Sequence, residues 1–246
     1  NQLLLQRFIS EARHAERLQH PNIVELYDLG FDKHRPYLIL EYVAGGDLHS
    51  RVRKSGPLSI TEAVNAILSV ARGLEFAWRH GIIHRDIKPA NLLVTPEGRV
   101  KITDLGLSIQ EDDDERHTRE GTTVGTVDYM APEQARDSRS TSVQSDMYSL
   151  GCTLHFLLTG FPPFPVSDLT EKLQAHAFEA PPDIRRRRPE VPATLSALLQ
   201  RMLAKSPQDR FATYASLIAA LEPFSDDVAL EEVAEAPRVR PGGLKQ

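Results

Sequence analysis

His84-Arg85-Asp86-Ile87-Lys88-Pro89-Ala90-Asn91 is the stretch on which the reading turns. It gathers a carboxylate, an ammonium and a side-chain amide within six residues. Upstream, residues 59–80 read as the clearest helix of the chain. Ser59 with Glu62 three residues on is a capping-box pattern. Ile60, Ala63, Val64, Ile67, Leu68, Ala71, Leu74 and Trp78 then form one apolar stripe, and Gly81 ends it. Downstream, Leu92–Thr95 and Arg99–Thr103 read as a hairpin about Pro96-Glu97-Gly98. Asp104-Leu105-Gly106 follows at once. Further on come Gly125-Thr126 with Tyr129, Ala131-Pro132-Glu133, Asp146 with Gly151, and Arg210.

Working outward from this core, residues 3–19 carry apolar side chains at helical spacing and stop before Pro21. Ile23–Leu29 and Pro36–Val43 read as two short strands joined at Asp32, Lys33 and His34, and Gly45-Gly46 breaks the chain after them. A polar segment runs from about Ser108 to Thr126, too long for a passive turn. Four more helices are expected near 144–159, 167–177, 194–204 and 213–222. Beyond Pro223 the chain is acidic and small, and reads as a linker or tail.

Composition bounds the function. The 246 residues carry 29 Lys plus Arg against 34 Asp plus Glu, a formal net charge of −5. An acidic balance of this kind argues against a nucleic-acid binder. The single cysteine, Cys152, rules out an internal disulfide and fits a reducing, cytoplasmic setting. The longest stretch without Asp, Glu, Lys or Arg, Met147 to Phe164, contains two glycines and two prolines and reads as a core helix ending in a turn, so no membrane segment is expected in this chain. The first residue is Asn, which suggests a start inside a larger protein, and the acidic tail would suit a linker to an anchor or sensor domain.

Taken in order, the octapeptide and its downstream motifs resemble the eukaryotic-type protein kinases, in a bacterial style, over roughly residues 3–222. The resemblance implies an α+β, protein-kinase-like fold: a mostly helical C-lobe over 44–222, an incomplete β-containing N-lobe over 1–43 running into the hinge, and a tail over 223–246. It implies transfer of the ATP γ-phosphate to Ser or Thr hydroxyls of protein substrates. Such transfer needs a hydroxyl held in line with the γ-phosphorus and neutralisation of the phosphate oxygens. Asp86 is similar to the carboxylate that orients the hydroxyl and takes its proton. Lys88 can reach the transferring phosphate as a point charge. Asn91 and Asp104 offer oxygens to Mg²⁺, a hard cation. A lone Asp-x-Gly is usually a solvated turn. Only the position of Asp104, after the hairpin, promotes it.

The same resemblance puts Leu40 at the gatekeeper, Glu41 and Val43 in the hinge that meets adenine, Asp47 at the ribose, and Leu93 beneath the adenine ring. Glu11 is similar to the helix glutamate that pairs with a strand lysine. Thr126 is similar to the threonine that bonds Asp86 and Lys88. His84 reads as structural, and Glu133 with Arg210 as a buried structural ion pair. Arg85 resembles the arginine that pairs with a phosphorylated threonine, for which Thr118, Thr122 and Thr123 are candidates. Arg185–Arg188 reads as a solvated charge run, with docking of an acidic substrate as the sharper alternative.

The pattern breaks at one place. No Gly-x-Gly-x-x-Gly occurs, and the first lysine is Lys33, after the helix that bears Glu11. The glycine-rich loop and strand lysine of the family are therefore expected to be missing from this chain, whose own activity would then be weak. The rival reading is a catalytically inactive kinase-like fragment or protein-binding module.

Overall fold

The computed structural model describes residues 18–33, 35–105, 127–137 and 140–225. The proposed helix 3–19, with Glu11, lies almost wholly outside these residues. Its last positions, Leu18 and Gln19, are not helical, and Leu18 is buried in the core.

Strands β1 (Leu26–Asp32) and β2 (Arg35–Leu40) form an antiparallel hairpin in which Leu26 faces Leu40 and Gly30 faces Tyr37. Gly30 lies under its partner: a Cβ there would lie 2.3 Å from the Tyr37 ring, so this exposed ring would have to swing aside. The sequence pattern starts β1 three residues too early. Ile23 pairs instead with Ile102, and Val24 N–H donates to Ile102 O at 2.9 Å. The apolar run from Ile23 thus serves two sheets. Tyr27, Phe31, Tyr37 and Ile39 of the hairpin remain exposed.

Helix α1 (Leu48–Ser55) has no counterpart in the sequence reading. It buries only Leu48 and Val52 among polar residues, too few to give a periodic signal. Helix α2 (Ile60–Arg79) starts as expected: Glu62 N–H donates to Ser59 Oγ at 3.2 Å, and Ser59 N–H to Glu62 Oε2 at 3.0 Å. Its alanines and aliphatics are buried against the remaining helices, and it forms the axis of the core.

Strands β3 (Leu92–Val94) and β4 (Val100–Ile102) pair antiparallel, with Leu93 opposite Lys101. Helices α3 (Pro132–Arg136), α4 (Val143–Thr159), α5 (Leu169–Phe178), α6 (Ala193–Met202) and α7 (Tyr214–Leu221) complete the body. Helix α4 is buried along nearly all its length. It ends at Gly160 in the left-handed conformation, with the Gly160 N–H donating to Phe156 O at 2.7 Å. No helix among the described residues is long and apolar enough to cross a membrane.

Candidate active site

The octapeptide leaves helix α2 and is held from below by one carboxylate. Asp146, in the first turn of α4, is 1% exposed. Its Oδ2 accepts the His84 N–H at 3.1 Å and its Oδ1 the Arg85 N–H at 3.0 Å. Tyr214 O–H donates to Oδ2 at 3.0 Å. Burial pushes this carboxyl above the usual carboxylate range, against the pull of His84 and of both amides. The clamp holds Arg85 at φ 71°, a left-handed conformation that costs a non-glycine residue free energy. His84 is buried behind the loop, and its Nε2 lies 3.0 Å from Thr103 O. From α3, Gln134 Nε2 donates to Arg85 O at 3.0 Å.

With the loop fixed, three of the singled-out side chains converge. Lys88 Nζ lies 2.8 Å from Asp86 Oδ2. Asn91 Nδ2 donates to the same oxygen at 3.2 Å and to Asp86 O at 2.9 Å. Asn91 is buried and Asp86 and Lys88 half-buried, so the polar atoms meet in a partly desolvated recess where charges act strongly. Asp104 is brought alongside because Thr103 N–H donates to Asn91 O at 3.0 Å. Asp104 has φ 58° and an exposed side chain.

This donor set suits magnesium. The Asn91 amide nitrogen is engaged by Asp86, so the oxygen at the other end of the amide is the atom it could offer a cation. Mg²⁺ is commonly held by one or two protein oxygens, with phosphates and water completing the shell. Among the described residues there is no cluster of three or more acidic, His or Cys side chains that could form a full protein cage.

The segment expected to form the hinge is strapped to the same scaffold. Glu41 N–H donates to Glu25 O at 2.8 Å, while Glu41 Oε2 accepts the Glu25 N–H at 3.1 Å and pairs with Lys101 Nζ at 2.7 Å. Lys101 also reaches Ile23 O at 3.3 Å. Val94 N–H donates to Gly46 O at 2.8 Å, and Asp47 bridges to Leu93. Gly45 permits this approach, since a Cβ there would meet Val94 O at 2.2 Å. Leu93 therefore lies directly beside Asp47. Both Asp47 carboxylate oxygens are engaged by Ser50, at 2.8 Å each, which makes Asp47 the N-cap of α1. Leu40 and Asp104 line one cavity with Leu26, Leu38, Ile102 and Leu105.

Other assignments divide. Glu133 and Arg210 form the expected pair, with Arg210 Nη1 2.6 Å from Glu133 Oε1 and Arg210 2% exposed. The run Arg185–Arg188 is not uniform. Arg188 Nη1 donates to Leu58 O and Leu158 O at 2.5 and 2.8 Å, while Arg185, Arg186 and Arg187 are exposed. Thr118, Thr122, Thr123 and Thr126 lie outside the described residues. Asp146 appears in the sequence reading only as a motif position. Lys101 does not appear there at all, and its sole sequence signal is its alternation with buried Val100 and Ile102 on a three-residue strand.

Comparison with known proteins agrees with this geometry. The model of the protein kinase domain matches residues 1–220. The serine/threonine-protein kinase PknB of Mycobacterium leprae is 36% identical over 219 residues, covering 87% of this chain and 35% of that protein. The serine/threonine-protein kinase Pkn1 of Myxococcus xanthus is 39% identical over 247 residues, covering 98% of this chain and 34% of that protein. The chain thus spans about a third of the length of these curated relatives. Among solved structures, Rad53 in complex with AMP-PNP superposes with a TM-score of 0.74 at 26% identity, covering 89% of this chain and 54% of that one. With a carboxylate, an ammonium and an amide on one clamped loop, and a family model that fits almost end to end, the chain belongs to the protein kinase domain family.

Proposed function

We propose that this chain carries the phosphoryl-transfer chemistry of a serine/threonine protein kinase, with ATP as donor and protein hydroxyls as acceptors. The observation that carries the reading is the convergence of Lys88 Nζ and Asn91 Nδ2 on one oxygen of Asp86, at 2.8 and 3.2 Å. In this reading the Asp86 carboxylate orients the incoming Ser or Thr hydroxyl and receives its proton as the new P–O bond forms. Lys88 faces the transferring phosphate, where its positive charge offsets charge developing on the equatorial oxygens. Asn91 and Asp104 would hold Mg²⁺, which would supply further neutralisation of the phosphate oxygens. Adenine rests against Leu93 and meets backbone groups of Glu41 and Val43. The Glu41 N–H is already given to Glu25 O, so the groups left for the base edge are the Glu41 carbonyl and the Val43 N–H. Leu40 bounds the inner end of that site and Asp47 its ribose end.

Arg85, held outward in its left-handed conformation, is the cation proposed to receive a phosphorylated threonine from among Thr118, Thr122 and Thr123.

The test is transfer of labelled γ-phosphate to a generic basic protein by the full-length protein, with Asp86→Asn as control. Transfer that depends on Asp86 supports the reading. Equal transfer by parent and Asp86→Asn overturns it, as does absence of transfer by the parent, which would favour a non-enzymatic binding module.

A further inference from the structure

Both polar groups of one peptide bond beside the reaction centre are held by side chains, and one of those side chains has no part in the chemistry above. The bond is that between Arg85 and Asp86. Its N–H, on Asp86, is given to His84 Nδ1 at 3.3 Å. Its carbonyl, on Arg85, accepts Gln134 Nε2 from α3 at 3.0 Å. The other end of the same amide is also engaged: Gln134 Oε1 accepts the Ala131 N–H at 3.1 Å. Turning the amide end for end would set oxygen against oxygen and N–H against N–H, so its two partners fix which way it lies.

Anchoring of α3 does not account for the reach to Arg85. Glu133, next along the chain, already ties that helix to the body. It pairs with Arg210 at 2.6 Å and accepts Ser145 Oγ at 2.7 Å, while Ala131 and Pro132 are buried. What the Gln134 amide adds is a hold on a strained residue. Arg85 stands at φ 71°, and its N–H is taken by Asp146 at 3.0 Å. Asp146 fixes the peptide plane before Arg85, and Gln134 the plane after it. With both planes fixed, the left-handed turn, unfavourable for a non-glycine residue, is kept from relaxing. The second plane leads into the Cα of Asp86. Its tilt is therefore passed on to the carboxylate, whose Oδ2 meets Lys88 and Asn91 at 2.8 and 3.2 Å.

We infer that Gln134 is a positioning residue for phosphoryl transfer: through the Arg85–Asp86 peptide it sets the angle at which the Asp86 carboxylate faces the incoming hydroxyl. The inference rests on the kinase reading above. Gln134 touches no reacting atom and takes no part in holding nucleotide or acceptor, so its loss is read in kcat and not in KM.

The test uses the full-length protein and separates the two ends of the amide, with kcat and KM measured for a Ser/Thr peptide and for ATP. Gln134→Glu keeps an oxygen for the Ala131 N–H but meets the Arg85 carbonyl with oxygen. Gln134→Lys keeps a donor for that carbonyl and gives up the Ala131 bond. Gln134→Glu is expected to lower kcat about tenfold or more, with each KM within about twofold of the parent. Gln134→Lys is expected to stay within about threefold of the parental kcat, even if its melting temperature falls. A residue that merely finishes α3 would show the reverse order. Parent-like kcat in Gln134→Glu overturns the inference, as does an equal loss in Gln134→Lys or a loss carried by KM. Gln134→Met, neutral and without either bond, takes the place of Gln134→Glu if that variant does not fold, with the same expectation and the same overturning results. Absence of transfer by the unaltered protein would instead sink the kinase reading itself, and this inference with it.

Discussion

Asp146 accepts the backbone N–H of Arg85 at 3.0 Å, and this bond holds a left-handed arginine immediately ahead of Asp86. The same carboxylate takes the His84 N–H and the Tyr214 hydroxyl. Replacing it with Ala would orphan three donors in a buried site. Each orphaned donor costs about 1–3 kcal/mol, less where water can enter. Asp146→Ala is therefore expected to lower stability by roughly 3 kcal/mol or more and to release Arg85 from its left-handed well. Urea unfolding reads the first effect. Phosphoryl transfer in the fraction that stays folded reads the second, and parent-like transfer there would show that the clamp does not shape the loop.

Lys88 is half-buried and sits on Asp86 Oδ2 at 2.8 Å, so removing its charge affects the recess more than the fold. Lys88→Met should reduce kcat by about 10²–10³, the scale of losing one preorganised electrostatic partner of a developing charge. Peptide KM and the melting temperature should move little. A steady-state comparison of the two kinetic constants checks this, and a loss confined to KM would assign Lys88 to binding alone.

The proposed hinge is tied down by a pair that the family resemblance does not suggest. Lys101 Nζ lies 2.7 Å from Glu41 Oε2, with side chains only 12% and 23% exposed. Lys101→Met leaves the Glu41 carboxylate with the Glu25 N–H as its donor, at 3.1 Å. Glu41 is then free to swing outward and its backbone to follow. We expect about 1–2 kcal/mol of destabilisation, more than a surface pair gives. We also expect weaker nucleotide binding, because the Glu41 carbonyl and Val43 N–H lose their fixed position. Thermal shift with and without an ATP analogue separates the two effects: a fall in the melting temperature with an unchanged nucleotide-induced increment would limit Lys101 to stability.

These two outcomes show what a linear sequence discloses. The Asp86, Lys88 and Asn91 recess was legible because its members are within six residues and their bonds are local. Helix α2 was legible because its capping box and apolar stripe are also local, and the stop of α4 at Gly160 for the same reason. Lys101 was not, because its partner is 60 positions away and brought near by folding alone. The four arginines 185–188 look equivalent in a string. Arg188 is set apart only by the Leu58 carbonyl, 130 positions distant, which it reaches once α2 and α4 are assembled. Helix α1 escaped notice because Asp47 caps a segment with just two buried side chains.

Glu133 and Arg210 join α3 to the turn before α7 through a two-pronged contact, Nη1 to Oε1 at 2.6 Å and Nη2 to Oε2 at 2.9 Å. Although burial raises the Glu133 carboxyl, Arg210 holds it below its usual 4.5. Arg210 also donates to the carbonyls of Ala204, Gln144 and Lys205. Arg210→Ala should cost roughly 3–5 kcal/mol, since it strands a buried carboxylate and three carbonyls. Converting Glu133 to Gln as well should recover part of that loss by removing the stranded charge. A double-mutant cycle in urea measures the recovery, and strict additivity would argue that the two residues do not interact.

Two buried histidines contribute to the acid limb of stability. His176 is held down to about 3, first by burial and then by Lys205 and Lys172. His155 is held down to about 4 by burial, with Arg187 adding to the effect and a bond to Phe161 O opposing it. Both are neutral in the folded protein across the working range, and each would titrate near 6.5 once unfolded. A folded pKa below the unfolded one gives stability that is whole above pH 6.5 and is lost as pH falls toward the folded value. Each histidine then removes about 1.4 kcal/mol per pH unit once the pH is well below 6.5. The urea midpoint should therefore fall steadily between pH 6.5 and 5, before most carboxylates begin to protonate. In His176→Gln, which cannot titrate, the slope over that window should become shallower, even though the 2.8 Å contact with Tyr148 is altered and the absolute midpoint shifts. A midpoint that rises on acidification, or a slope untouched by the substitution, would place the acid sensitivity elsewhere.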